Sequence, residues 1–241
     1  NLIKSPGLDL FSTFVFKERL KIFFNKKNKS SDDWYEFMSA LLGGFPEIKT
    51  FGNRLSYLLQ NSSYDILIDN QSLSFGLLKV QNRIPVIEIV HHPITKDYKY
   101  DIKFSKGIVQ KISKWRWFSF LSMQKKVAPF MKTISTPSIN SKNDIVKDFN
   151  VSKKKIMVIP NGIDHINFSP KKHINRNPEQ LITTASADVP LKGLDFTLKA
   201  IHSIKKDFPK IRLVIIGAPR PGGHTERLIQ KLNLEANIVY K

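Results

Sequence analysis

Seven short runs rich in isoleucine and valine recur along the chain, and their nearly unbroken hydrophobicity limits the fold more than any other feature. They are "YDILIDN" (64–70), "IPVIEIV" (84–90), "KTIST" (132–136), "KIMVIP" (155–160), "LITTA" (181–185), "IRLVIIG" (211–217) and "ANIVY" (236–240). A strand with one wet face alternates apolar and polar residues, whereas a run apolar at almost every position suits a strand covered on both faces. Stretches with helical spacing lie between the runs, at 72–81, 104–128, 138–149, 193–206 and 225–233. Strand–helix alternation of this kind implies a parallel sheet with right-handed crossovers. The expected fold class is α/β.

The alternation breaks once, at "NFSPKKHINRNPEQ" (167–180), which has two prolines and no apolar period. That composition suits an interdomain linker. The expected organisation is an N-terminal α/β domain over 1–168, a linker over 169–180, and the first part of a second α/β domain over 181–241. Residues 1–63 are different in kind. "FSTFVFKERLKIFF" and "WYEFMSALLGGF" have the pattern of amphipathic helices with large aromatic faces. Such faces either cover a core or dock on a membrane surface, here through Lys17, Lys21, Lys26 and Lys27 beside Phe23 and Phe24.

Composition narrows the function classes. The chain has 241 residues, enough for one large or two ordinary domains. It has no cysteine, so it forms no disulfide framework, thiolate metal site or thiol nucleophile. Apolar runs such as "LVIIG" are too short to span a bilayer. Position 1 is Asn, so the lack of a secretory signal carries little weight. With 39 Lys plus Arg against 20 Asp plus Glu, the net charge is +19. Such a field attracts phosphates, nucleic acid or an anionic membrane. A general lysine bias gives the same total, because the lysines are spread along the chain. The tight clusters "NKKNK" (25–29) and "SKKKI" (152–156) are not interleaved with aromatics as single-strand binders require.

Four places could carry chemistry. Lys192-Gly193 falls in the loop between a strand and a helix, where free N–H groups, the helix dipole and a lysine can hold a phosphate. A solvated lysine beside a turn is the alternative. "IPNGIDHINFSP" (159–170) puts Asn161-Gly162 at a strand end, where the pair favours positive φ and exposes N–H groups, or makes an ordinary turn. "VIEIVHHPIT" (86–95) ends a strand in His91 and His92, and adjacent residues of an extended chain point oppositely, so one of them faces any common cleft. No third ligand has metal spacing to this pair. "GAPRPGGHTERL" (217–228) is a Gly/Pro-rich loop opening on Gly217. There is no G-x-G-x-x-G, Walker A, D-x-D or G-x-S-x-G pattern.

In order and spacing, "HHPIT", "VIPNGID", "TTASADVPLKGL" and "LKGLDFTLKAI…DFPKIRLVIIG" resemble the family 4 retaining glycosyltransferases of the GT-B fold, in a largely bacterial subgroup. The resemblance covers 64–241 well and the first 60 residues poorly. It implies two Rossmann-like domains facing a cleft and transfer of a sugar from a nucleotide donor, with retention and without metal. Lys192, with Gly193, would grip the donor diphosphate. His91, or less readily His92, would stand by the transferred sugar, and Asn161, Gly162 and Gly217 would line the cleft. The family's second cation, an arginine shortly before the lysine, is replaced here by Ser186, Ala187 and Asp188. Its glycine-rich acceptor loop and its paired glutamates have no counterpart between residues 1 and 241. The resemblance therefore makes this a piece of an enzyme, inactive by itself.

The implied partners are a UDP- or GDP-sugar as substrate and a glycan or lipid-linked acceptor of cell-envelope polysaccharide synthesis. No resident cofactor and no nucleic acid are expected. The implied location is cytoplasmic, or peripheral on the inner face of the cytoplasmic membrane. Two alternatives stay open. An epimerase-like Rossmann enzyme would bind NAD(P), and a basic nucleic-acid protein would retain DNA in a salt-dependent way.

Overall fold

The computed structural model describes residues 7–13, 15–105, 107–171, 174–184, 192–219 and 221–241. The chain divides into two compact units, Asn1–Gly162 and Ile163–Lys241. All seven apolar runs contain strands, each a little shorter than its run, and all of them pair in parallel.

In the first unit β1 (Leu67–Asn70), β2 (Val86–Ile89), β3 (Thr133–Thr136) and β4 (Ile156–Val158) lie side by side in sequence order. α4 (Phe75–Val80) crosses from β1 to β2, and α8 (Ile139–Phe149) from β3 to β4. Leu77, Val80, Met131, Ile134, Ile145 and Phe149 fill the space between sheet and helices and are almost wholly removed from water. α8 starts where Ser138 Oγ accepts the Ser141 N–H at 3.1 Å, and stops at Asn150 in the left-handed region at φ 54.

Three expectations change at this level. The stretch 104–128 is not one helix but α6 (Gly107–Trp117), a 3-10 turn at Phe118–Phe120 and α7 (Leu121–Val127). Two helices that the sequence reading did not assign appear, α3 (Glu47–Leu58) and α5 (Thr95–Phe104). The aromatic segments form α1 (Phe16–Asn25) and α2 (Ser31–Leu41), where Phe23 packs on Trp34 and Phe37 while Phe16, Phe24 and Tyr35 stay exposed. Phe23 is 1% exposed and stacks on Phe37 with centroids 4.0 Å apart. Lys26 Nζ lies 2.7 Å from Asp33 Oδ1. Phe23 is therefore spent on the core rather than presented to a membrane, and Lys26 is engaged by Asp33.

The second unit is a three-stranded parallel sheet in the order β5 (Gln180–Thr183), β6 (Arg212–Ile215), β7 (Ile238–Tyr240). α9 (Leu194–Ile204) and α10 (His224–Lys231) make its crossovers. Leu194, Leu198, Ile201, Leu213, Ile215 and Leu234 form a separate core. Among the described residues no helix is long and apolar enough to cross a membrane.

Candidate functional site

Parallel pairing brings the residues that follow neighbouring strands together at one edge of a sheet. In the first unit Asn70 is in register with Ile89, so the loops after β1 and β2 start side by side. His91 Nε2 lies 2.8 Å from Asn70 Oδ1, and the His91 backbone N–H donates to Gln71 Oε1 at 2.8 Å. Gln71 Nε2 donates in turn to the His92 carbonyl at 3.0 Å, and Ser141 Oγ, in the first turn of α8, donates to the His91 carbonyl at 2.9 Å. The His92 ring turns elsewhere, to Asp97 Oδ2 at 3.0 Å. His91 is thus an exposed imidazole oriented by Asn70 and able to hydrogen-bond a hydroxyl.

The support beneath it is acidic and buried. Asp69 and Glu88 are register neighbours on β1 and β2. The oxygens of Asp69 accept the Ser72 N–H at 2.7 Å and the Ser72 hydroxyl at 2.8 Å. No hydrogen bond of ordinary geometry reaches either oxygen of Glu88, which is fully buried. Burial first, and then the charge of Asp69, pushes the Glu88 carboxyl up to about 11, so it is protonated at neutral pH. The loop that follows is backbone-strained, with Gln71 at φ 65 and the buried Leu73 at φ 45. Buried Gln124 steadies it by donating to the carbonyls of Gln71 and Ser72 at 3.2 and 3.3 Å. A cavity of about 780 Å³ opens beside this loop, lined among others by Phe51, Arg54, Ile68, Asn70 and Gln71.

Asn161 and Gly162 follow β4 on the same edge, with β3 between them and His91. Both are exposed, and neither takes positive φ, contrary to the expectation for an Asn-Gly turn. The chain turns slightly later. Asp164 Oδ1 accepts the N–H groups of Ile166 and Asn167 at 3.0 and 3.1 Å, which does the work expected of the glycine.

The second unit gathers the other predicted residues. Lys192 is exposed, and Gly193 caps α9 at φ 70, ψ 16, a left-handed conformation that favours glycine. The Gly193 carbonyl accepts the Phe196 and Thr197 N–H groups, which leaves the N–H groups of Leu194 and Asp195 as the ones without an intrahelical acceptor. Gly217, two residues past the end of the neighbouring β6, takes φ 118, and its N–H is taken by the Lys241 carbonyl at 2.6 Å. His224 Nε2 and Asp195 Oδ2, 2.6 Å apart, tie the starts of α10 and α9 together. Ser186, Ala187 and Asp188 lie outside the described residues. Among the described residues no group of three or more His, Asp or Glu could hold a metal ion.

The sequence reading missed Asn70, Gln71, Ser141 and the Asp69–Glu88 pair. The polar run "DNQS" (69–72) at the end of an apolar strand was the available signal.

Comparison with known proteins adds three findings. The family model described as Glycosyltransferase Family 4 matches residues 35–166. An MMP alpha-(1->4)-mannosyltransferase of Mycolicibacterium hassiacum is 34% identical over 242 residues, which cover 99% of this chain and 57% of that protein. The chain therefore spans little more than half the length of that curated relative. The solved structure of TarM has the same fold over 79% of this chain and 36% of its own, with a TM-score of 0.53 at 18% identity.

Proposed function

Because the chain belongs to Glycosyltransferase Family 4, we propose that its protein moves a hexose from a nucleotide-sugar donor to a glycan or lipid-linked acceptor, retaining the anomeric configuration and using no metal. One observation carries the reading: Gly193 caps the N-terminus of α9 in a left-handed conformation with the exposed Lys192 just before it, and α9 is the crossover helix that follows β5. Departure of a nucleoside diphosphate builds negative charge, and a fixed cation next to free helix amides is the arrangement that stabilises it. Lys192 is assigned the diphosphate and Gly193 the close backbone approach. His91 is assigned a hydroxyl of the transferred sugar. Asn161, Gly162 and Gly217 are assigned to the walls of the site.

The name of the M. hassiacum relative specifies mannose and an α linkage. That supports a hexose donor, and it supports retention, since the common nucleotide hexoses are α-configured. UDP and GDP remain the candidate donor bases. The acceptor is a growing polysaccharide or glycolipid, reached from the cytoplasmic side, with peripheral contact to an anionic membrane.

Replacing Lys192 by alanine in the enzyme should lower kcat about 100- to 1000-fold, as loss of one transition-state charge partner does. The measurement is donor turnover at saturating acceptor. Unchanged turnover in Lys192→Ala would return that lysine to an ordinary solvated surface.

A further inference from the structure

α6 is mounted the wrong way round for a surface helix. None of its residues is buried. At about 100° per residue, Ile108, Val109, Ile112 and Trp115 fall on one side of the helix. Their exposures are 74%, 78%, 44% and 62%. The side that meets the protein is the other one. There Lys114 Nζ lies 2.6 Å from Asp101 Oδ2, and Trp117 packs against Phe11 and Phe45 at centroid distances of 5.8 and 5.1 Å. An amphipathic helix normally buries its apolar stripe. This one shows it to solvent.

The exposed stripe continues onto α2. Tyr35, Met38 and Leu42, spaced to share a helix face, are 43%, 51% and 58% exposed. They meet Trp115 across a shallow, mainly apolar groove of about 350 Å³. The frame of this surface is cationic. Lys111 and Arg116 are exposed on α6, which carries no acidic residue, and Lys49 Nζ sits 4.0 Å from the Tyr35 ring centroid. A protruding apolar stripe with a tryptophan, edged by Lys and Arg on a chain of charge +19, complements a surface apolar inside and anionic outside.

We propose that α6, with the adjoining face of α2, is the surface by which the first unit docks on an anionic lipid bilayer. The stripe sinks to the level of the acyl boundary, while Lys111, Arg116 and Lys49 meet lipid phosphates. The inference uses no catalytic residue and stands apart from the donor reading. It also moves the membrane contact away from α1, whose Phe23 and Lys26 are engaged within the fold.

The test is co-sedimentation of the chain with vesicles of phosphatidylcholine alone and of phosphatidylcholine mixed with phosphatidylglycerol. The chain should partition to the mixed vesicles, hardly to the neutral ones, and come off in high salt. The double variant Ile108→Ser, Trp115→Ser should lower that partitioning roughly tenfold or more. Lys111→Gln with Arg116→Gln leaves the stripe intact and should weaken binding and flatten its salt dependence. Phe24→Ser on α1 should leave binding within about twofold. Unchanged partitioning of both α6 variants would overturn the proposal, and so would equal binding to the two kinds of vesicle. A dimer in solution that Ile108→Ser, Trp115→Ser dissolves would also overturn it, by making a second copy the occupant. In the whole enzyme, transfer to a water-soluble acceptor should be unaffected by the α6 variants, which separates failure of docking from failure of the catalytic reading.

Discussion

At the scale of single residues, Glu88 has the least expected chemistry. It occupies a strand position that its neighbours fill with valine and isoleucine, and its proton is what makes that burial tolerable. Kept neutral, it adds no second charge next to Asp69, which anchors the loop that carries Asn70 and Gln71 to His91. The pH consequence has a definite sign. Its carboxyl titrates near 4.5 in the open chain and is pushed up to about 11 in the fold. Between those values the folded state binds the extra proton, so stability is greatest below the lower one and falls as pH rises toward the upper. Glu88→Gln keeps the shape and a donor but has no proton to lose. The variant should fold, show a flatter dependence of stability on pH, and exceed the parent at alkaline pH. Denaturant unfolding at roughly pH 6 and pH 9 measures this, and parallel losses in parent and variant would contradict it. His91 was legible in the sequence as one of a pair at a strand end. Its partner Asn70, 21 residues away, was not, because only the β1–β2 register brings them together.

At the scale of elements, α2 is fixed at its start by a reciprocal cap. Ser30 Oγ accepts the Asp33 N–H at 3.2 Å, while Asp33 Oδ2 accepts the Ser30 N–H at 2.7 Å, a reciprocal capping box. Ser30→Ala should lower the stability of the first unit by about 1 kcal/mol. An unshifted denaturation midpoint would show that the box contributes nothing. The strands were legible because burial on both faces makes their apolar runs continuous. α3 was not, because its buried residues are Thr50 and Gly52 rather than large apolar ones. Gly52 exists there to let two backbones meet: a Cβ on Gly76 of α4 would fall 1.8 Å from the Gly52 carbonyl oxygen. Ile48, Phe51, Leu55 and Leu58 do recur at helical spacing, with Ile48 and Leu55 packed on the core, but the glycine contact itself leaves no apolar mark. α5 buries only Thr95 and is polar on most of its surface, so its sequence looked like a loop. The inverted α6 was read as an ordinary helix, since periodicity finds an apolar stripe but not the side it faces.

At the scale of the whole molecule, the chain is two α/β units with independent cores, the first holding His91 and the second Lys192. The family match covers 35–166, whereas the M. hassiacum relative aligns over nearly the whole chain, Lys192 included. The order of motifs across both units therefore said more than composition did. The net charge of +19 was uninformative as a total and became specific only once Lys111 and Arg116 were seen to edge an exposed apolar stripe. The central claim is that the Lys192-Gly193 turn holds a nucleoside diphosphate. Its most direct test is an amide NMR titration of the chain with UDP and with GDP. The account predicts saturable shifts of the Gly193 and Gly217 amides with at least one of the two, weaker shifts with the bare nucleoside, and at least roughly tenfold lower affinity in Lys192→Ala. Amides at the start of α9 that stay still at saturating diphosphate, or that respond equally in Lys192→Ala, would contradict it.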